Sequence, residues 1–510
     1  MTEIPHYQSF TAHELTHEQQ YAVHLAVSCK DNLKINALAG TGKTSTLRAI
    51  ASHLPRQRVL YLAFNKVVQV EASTSFPRNV SARTIHSLAY RSMQMFDERW
   101  QKKLGTRFTL KDYAAFLGID LRATRAMSTI LCLREAIKEF QHSADLEPSS
   151  KHIPLAELKN IKSPSERLWV CQVIDEHAPR LWKAMIDPES SVAMTHDTYL
   201  KLWQLSGARI TGTDVIMLDE AQDANPVMIE ILKKQSVRLI LVGDTWQQIY
   251  SFRGAINAMQ TLQTPLGCFL TQSFRFGQDI ADLANLVLKL RSAPKYLRGN
   301  PRKLSCLGEV PAKKKYTVIF RTNIELLEEA INLSAENYRI HIVGSLEKTA
   351  ALVMDVFHLY AKQKARIKDA KLRVFKSWSE LEANMDILDD VELKKSFRFV
   401  ENYGEQIPHI IDMVKKSDAV RPEASDVILT TAHKSKGQEW QNVRISEDFY
   451  EAIRESAEEE LNLLYVAFTR AIQYLEVPSK ILESLQLKKL NSPHPNLVRE
   501  SKISTSPPAL

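Results

Sequence analysis

Hydrophobic positions along the chain follow two rhythms, and each change of rhythm marks an element. Leu33, Ile35 and Ala37 alternate with polar neighbours like a strand, between helical patterns at Tyr21–Val27 and Ser45–Ile50. Val59–Phe64 is a short, nearly continuous apolar run, as expected of a parallel strand buried on both faces. Val80–Arg83 leads into Thr84–Ala89 as a strand end feeding a helix. From about Tyr90 to Ser206 the texture changes: helical segments carry Trp100, Trp169, Trp182 and Trp203 among many charges, with no strand of comparable strength. Strand texture returns at Asp214–Leu218 and Arg238–Val242, each running into acidic residues. A second alternating system begins near Leu270, with its clearest strands at Tyr316–Phe320, Tyr338–Val343 and Val427–Thr430, and a charged, mostly helical stretch between Ala361 and Ser425.

The expected architecture is α/β: two parallel-sheet domains, each interrupted by a mainly helical insertion. A length of 510 residues, at about 150 per domain, allows three or four units. The net charge of +8 permits a polyanionic partner without establishing one. Five cysteines (Cys29, Cys132, Cys171, Cys268, Cys306) have no paired spacing, which fits a reducing interior and no zinc module. No apolar run approaches the ~20 residues of a membrane span, and residues 1–17 lack the basic-then-apolar order of a signal peptide.

The candidate chemistry gathers where strands end. Ala37–Thr44 reads ALAGTGKT, with strand, glycine loop and helix in the order that a phosphate-binding loop requires, although the strict pattern has Gly where Ala37 stands. Ala39, Gly40, Thr41, Gly42, Lys43, Thr44 and Ser45 form the expected cradle. The two glycines turn backbone N–H groups onto phosphate oxygens, Lys43 supplies a point charge and Thr44 a hydroxyl for Mg²⁺. Asp219 and Glu220 follow an apolar strand, where one carboxylate can hold Mg²⁺ and its neighbour can activate water. The bland alternative is an acidic helix start favoured by the dipole. Gln247 and Asp244 sit at the end of another strand, with Gln247 able to feel a γ-phosphate and Asp244 able to order it.

One literal motif match is set aside. His13-Glu14-Leu15-Thr16-His17 spells the zinc-protease string H-E-x-x-H. Thr16, with Gln19 three residues on, reads as a capping box that starts a helix after His13, so the two histidines do not share a helix face. No third ligand follows, and the only metal expected is Mg²⁺.

The sequences DEAQD (219–223), VGDTWQQIYSFRGA (242–255), SFRFG (273–277), TTAHKSKGQEW (430–440) and NLLYVAFTRA (462–471) follow AGTGKT (39–44) in this order. With them the chain resembles the superfamily 1 helicases of the UvrD/Rep type. LAFNK, TIHSLA, SFRFG and HKSKGQEW are most similar to the branch containing the eukaryotic F-box DNA helicases and their short bacterial relatives. The resemblance runs from about Leu15 to Val477 and is weak in both insertions. It implies two RecA-like motor domains, the first at 1–90 and 205–265 and the second at 266–361 and 425–485. The insertions fall at 91–204 and 362–424, and a disordered tail at 486–510.

The same resemblance implies roles by position. Gln19 matches an adenine-reading glutamine, Phe274 an aromatic that stacks on adenine, and Glu439 a carboxylate that meets the ribose. Lys43, Thr44, Asp219 and Glu220 match the phosphate, magnesium and water-activating positions, with Thr44 and Asp219 as the metal ligands. Gln247 matches the phosphate sensor, and Arg275 and Arg470 two arginines that the second motor domain brings to the γ-phosphate. Tyr250 and Phe252 match an aromatic pair of which one stacks on bases, a contact worth about 1–3 kcal/mol per base. Asn65, His86, Arg253 and His433 match positions near the bound strand or the interface coupling it to ATP. Trp246 and Gln248 make an atypical third motif, Gln438 replaces the usual Leu, and Phe64 is given no base.

The implied activity is ATP-dependent translocation on single-stranded DNA, 3′ to 5′, using ATP and Mg²⁺. The output is duplex opening or protein displacement in repair, recombination or defence. The implied partners are single-stranded or tailed duplex DNA and a nuclease or repair factor, with no membrane, in an intracellular setting that is nucleoid-associated if the source is bacterial. Two alternatives stay open: an RNA translocase, since the motifs do not exclude a 2′-hydroxyl, and an ATP-gated binding subunit with little unwinding of its own.

Overall fold

The structure is a computed structural model that describes residues 14–491, apart from 107, 122, 124, 160, 162, 252, 253, 312, 313, 370, 371, 386–389, 418–420 and 456. The chain is α/β and is organised by two six-stranded parallel sheets. The first comprises β1 (Leu33–Ala37), β2 (Val59–Ala63), β3 (Val80–Thr84), β4 (Val215–Leu218), β5 (Arg238–Gly243) and β6 (Leu266–Leu270), in the order β3-β2-β4-β5-β1-β6. The second comprises β7 (Cys306–Leu307), β8 (Tyr316–Phe320), β9 (Ile340–Ile342), β10 (Val427–Thr431), β11 (Trp440–Ile445) and β12 (Ala471–Glu476), in the order β7-β12-β11-β8-β10-β9. Every residue of β2, β4 and β10 is buried, because helices cover both faces of a parallel sheet; this is why these strands read as unbroken apolar runs. The order β4-β5-β1 brings the carboxyl ends of three strands side by side, so the loops after them face one crevice.

The first sheet includes β6, which pairs in parallel with β1 from Leu33↔Leu266 to Ala37↔Leu270. The expected start of the second domain at 266 is therefore corrected: the chain crosses between lobes only after Leu270. Gly267 interrupts the apolar pattern of β6, and only Cys268 and Leu270 of that strand are fully buried. At the other end, helix Ser479–Asn491 continues past 485, where the tail was expected to start, and 492–510 lie outside the described residues.

The insertions differ in how they are built. Helices Leu110–Leu117, Ala126–His142 and Pro164–Met185 pack around their own core of Ile130, Leu133, Phe140, Ile174 and Leu181. Helix His196–Leu205 instead gives Tyr199 and Trp203 to the first lobe. In the second insertion, helices Val391–Tyr403 and Ile407–Ser417 place Phe397, Val400, Ile411 and Val414 in one core with Val318, Phe320, Val427 and Leu429 of the sheet. That insertion is an added layer on the second lobe, sharing its core. The lobes also share an apolar seam in which Leu38, Ala39, Trp246 and Ile249 meet Phe276, Leu464, Tyr465 and Phe468. Among the described residues no helix is long and apolar enough to cross a membrane.

Candidate functional site: a nucleotide crevice and an interlobe groove

The loop after β1 has a backbone that only glycine adopts without strain. Gly40 and Gly42 have φ of 72° and 78°. Both also lie against the second lobe. A Cβ on Gly40 would fall 2.6 Å from Ser273 Oγ and 2.9 Å from Arg275 Cβ, and one on Gly42 would fall 3.0 Å from Gln19 Nε2 and 3.3 Å from the Phe274 ring. Helix Lys43–Ser52 starts with no side chain capping its end, which leaves N–H groups and the positive end of the dipole facing the crevice.

Lys43 Nζ meets Glu220 Oε1 at 2.8 Å and Oε2 at 2.9 Å. Glu220 has a φ of 50°, in the left-handed region, an outlier of the kind that gathers at functional sites. Burial pushes its carboxyl up, but Lys43 and then Lys436 outweigh burial and hold it at about 2. Burial acts against the Lys43 ammonium as well, yet Glu220, Asp219 and Asp244 leave it raised. Asp219 goes the other way: burial and then the Glu220 charge push its carboxyl up, while Tyr61 donates to it at 2.6 Å. Burial also pushes Asp223 and Asp244 up to about 6.

The opposite wall of this crevice, whose volume is 510 Å³, comes from the second lobe and includes Phe274, Arg275, Lys436 and Glu439; Thr44, Ser45, Asn65 and Tyr250 also line it. Arg275 Nε lies 2.6 Å from Glu439 Oε2, and its Nη1 donates to Thr469 O at 2.6 Å. Arg470 is buried behind it. Its guanidinium donates to Val466 O at 2.9 Å, Gln438 O at 3.2 Å and Thr469 Oγ1 at 3.2 Å, all neutral acceptors. Burial and the neighbouring Arg275 charge bring Arg470 down to about 9.

Other residues are placed less directly. Thr16 and Gln19 form the expected capping box, so helix His17–Ser28 begins at His17; His13 lies outside the described residues. The Gln19 amide is occupied on both sides, its oxygen by Thr16 N at 3.0 Å and its nitrogen on Thr46 Oγ1 at 3.1 Å. Gln247 turns away from the crevice, and its amide donates to Asp244 Oδ2 at 2.9 Å. Asn65 caps helix Lys66–Ser75 through Val68 N. His86 pairs with Asp197 at 3.0 Å on the first lobe. Phe252 and Arg253 lie outside the described residues.

A larger groove of 1640 Å³ is lined by all parts of the chain: Lys138 and His142 from the first insertion, Ser251 from the first lobe, Arg321 and His433 from the second, and Glu392 from the second insertion. Tyr250 links the crevice to His433 on the groove. It lines the crevice, lies nearly parallel to Phe64 at 5.9 Å, and donates to His433 O at 3.4 Å.

Sequence reasoning missed three cross-lobe contacts. Lys436 pairs with Asp223, donates to Gln247 O at 2.7 Å and lies 5.1 Å from the Tyr250 ring. The Tyr465 hydroxyl accepts from Ala39 N at 3.1 Å and donates to Asp244 Oδ2 at 3.2 Å. Glu459 accepts from the Ser251 amide at 3.1 Å and from its hydroxyl. The signal available was that the partners in these contacts, apart from Glu459, fall inside the quoted motifs.

Among the described residues no group of three or more His, Cys, Asp or Glu is assembled for a metal. Thr44 and Asp219 fit Mg²⁺ on different grounds: both offer hard oxygen donors on one crevice, and Mg²⁺ is commonly held by one or two carboxylates plus substrate phosphates.

Comparison with known proteins adds to this geometry. Residues 15–264 match a family model described as the UvrD/REP helicase N-terminal domain, and residues 426–477 one described as the UvrD-like helicase C-terminal domain. The chain is 33% identical to F-box DNA helicase 1 of Gallus gallus over 92% of its own length and 50% of that protein. It is 31% identical to F-box DNA helicase protein 1 of Schizosaccharomyces pombe over 90% of its length and 56% of that protein. To DNA helicase IV of Escherichia coli K12 it is 25% identical, over 51% of its length and 45% of that protein. The chain thus spans about half the length of the two F-box proteins.

Proposed function

The chain belongs to the UvrD-like helicases of superfamily 1, and from that premise we propose that it is a motor that hydrolyses ATP to move along single-stranded DNA. The observation that carries this reading is the crevice itself, which takes its phosphate-facing wall from one lobe and cations from the other.

The triphosphate replaces Glu220 as the partner of Lys43. That exchange keeps the ammonium paired and frees the Glu220 carboxylate from the cation that most lowers its proton affinity, so it becomes a better base for the attacking water. Thr44 and Asp219 would hold Mg²⁺, which when bound neutralises phosphate charge. Arg275 and Arg470 reach the γ-phosphate from the second lobe. Among the described residues Arg470 has only neutral hydrogen-bond acceptors, so an arriving anion compensates its buried charge. Charge stabilisation by an arginine of this kind is worth about 10³–10⁵ in rate. Gln19 and Phe274 flank the adenine, and Glu439 turns from Arg275 to the ribose.

Binding draws the lobes together, and hydrolysis lets them part. The groove, built from both lobes and both insertions, changes shape with them and alternates its grip on the strand; His433 lines it, and Asn65, His86, Tyr250, Phe252 and Arg253 are the other residues assigned to the strand. Tyr250 supports this coupling, since it lines the crevice and donates to the backbone of His433, which lines the groove. Movement is 3′ to 5′, and the output is duplex opening or protein displacement during repair, recombination or defence, alone or with a nuclease or repair factor.

The test is ATP turnover with and without single-stranded DNA, followed by strand displacement on 3′-tailed and 5′-tailed duplexes. The expected result is DNA-stimulated hydrolysis and displacement from the 3′ tail. Displacement from the 5′ tail alone reverses the polarity, and equal stimulation by matched RNA widens the substrate. Stimulated hydrolysis with no displacement, alone or with candidate partners, favours a switch subunit. Hydrolysis indifferent to any strand contradicts the motor.

A further inference from the structure

One side chain of the second lobe reaches both the phosphate loop and the turn that carries Gln247. Tyr465 lies on helix Glu458–Phe468 and is wholly buried. Its hydroxyl accepts from Ala39 N at 3.1 Å, inside the glycine loop, and donates to Asp244 Oδ2 at 3.2 Å. Asp244 is wholly buried too, and its carboxylate organises the turn Thr245–Gln247: Oδ1 accepts from Trp246 N at 3.2 Å, and Oδ2 takes the Gln247 amide at 2.9 Å. The two donors to Oδ2 therefore come from different lobes. Three residues beyond Gln247 the same segment presents Tyr250 to the crevice and to His433.

We propose that Tyr465 is a positioning residue for strand-stimulated ATP hydrolysis, acting through Asp244 to set the Gln247 amide and through Ala39 to hold the phosphate loop in register with the second lobe. Ala39 N–H is buried and has this hydroxyl as its acceptor, and leaving such a donor unpaired costs about 1–3 kcal/mol. A lobe movement that carries Tyr465 must therefore carry the loop or break the bond. Asp244 feels the same movement, and a weaker bond from Tyr465 leaves Gln247 a larger share of Oδ2. The position of the second lobe, which a strand in the groove alters, is thereby written onto the Gln247 amide, which this structure holds turned away from the crevice. A phenylalanine would fill the same volume and carry no such message.

This inference rests on the motor reading, and the experiment separates the two. ATP turnover is measured with and without single-stranded DNA for the parent, Tyr465→Phe, Gln247→Ala and the double variant, alongside ATP KM, strand affinity and melting temperature. The expected result for Tyr465→Phe is a loss of about tenfold or more in DNA-stimulated kcat, with unstimulated kcat, ATP KM and strand affinity within about threefold of the parent. The double variant should lose no more than the worse single variant, because both act on one unit. Asp244→Asn, which disturbs the carboxylate that both donors share, should also lose stimulated kcat at least about tenfold with no further loss when combined with Gln247→Ala, and decides the matter if Tyr465→Phe fails to melt cooperatively. Losses in the double variant that multiply, or a stimulated kcat within about twofold of the parent, overturn the proposal while leaving the motor intact. A parent whose turnover ignores DNA overturns the motor, and this inference with it.

Discussion

At the amino ends of adjacent strands the two lobes use the same fastening. The Arg58 amide and guanidinium grip Asp214 where β2 lies beside β4, and the Arg339 amide and guanidinium grip Asp426 where β9 lies beside β10. At the carboxyl ends they part. After β1 the chain turns through glycines into a helix with an uncapped end facing a crevice. After β8 the corresponding groups are already spoken for. Asp448 accepts from the amides of Arg321 and Thr322, Glu392 accepts from the amide of Asn323, and Thr322 caps helix Asn323–Ala335. One parallel-sheet scaffold thus gives a lobe open to phosphate and a lobe whose equivalent end is filled with its own carboxylates. In the proposed motor the second lobe contributes to nucleotide chemistry from the side, through Arg275 and Arg470.

This contrast breaks most severely at the open end. Lys43→Ala and Glu220→Gln should each reduce ATP turnover by about 10³-fold or more while circular dichroism and melting stay near the parent's. Turnover near normal in either variant removes the crevice from the account. Arg470→Ala should lower kcat by about 10³-fold, and Arg275→Ala by less, since Arg275 must first give up its ion pair with Glu439, which offsets part of its gain on the phosphate. Single-turnover rates with saturating ATP distinguish this from weakened binding. At the closed end the effect is on folding. Asp448→Ala strands buried amides and should cost about 1–3 kcal/mol in urea unfolding, with ATP KM unchanged in the folded protein.

The smallest effect belongs to the shared fastening. Asp214→Asn and Asp426→Asn should lower the melting temperature slightly and equally, less so in high salt, because both pairs are exposed. The bound Arg58 and Arg339 hold these carboxyls down at about 2. Their contribution is therefore complete above the ordinary carboxylate range and fades as pH falls towards 2, which a pair of melting curves at neutral and acid pH will register.

The same contrast explains what could be read from the sequence. Strands buried on both faces, such as β2, β4 and β10, announce themselves by composition alone. β11 and β12 do not, because Gln441, Asn442 and Arg444 in one, and Gln473 and Glu476 in the other, break the run on half-buried strands. The second insertion has a legible apolar face in Phe397, Val400 and Ile411, but periodicity does not say that the face belongs to the sheet's own core. In the crevice, Lys43, Asp219 and Glu220 stand out because each must follow a strand at a fixed spacing. Lys436–Asp223 and Tyr465–Asp244 could not be found this way, since the partners are 213 and 221 residues apart and are joined only by the meeting of the lobes. Gln19 is a mixed case: its capping role is local and was legible, whereas its hold on Thr46 depends on how two helices pack.

The central claim is that one nucleotide is held by both lobes. The most direct measurement is a crystal structure with Mg²⁺ and a non-hydrolysable ATP analogue. The account predicts a γ-phosphate in contact with Lys43 and also with the guanidinium groups of Arg275 and Arg470, with Glu220 released. A triphosphate bound by the first lobe alone, with Arg275 still on Glu439 and Arg470 still on Gln438 O, would contradict it.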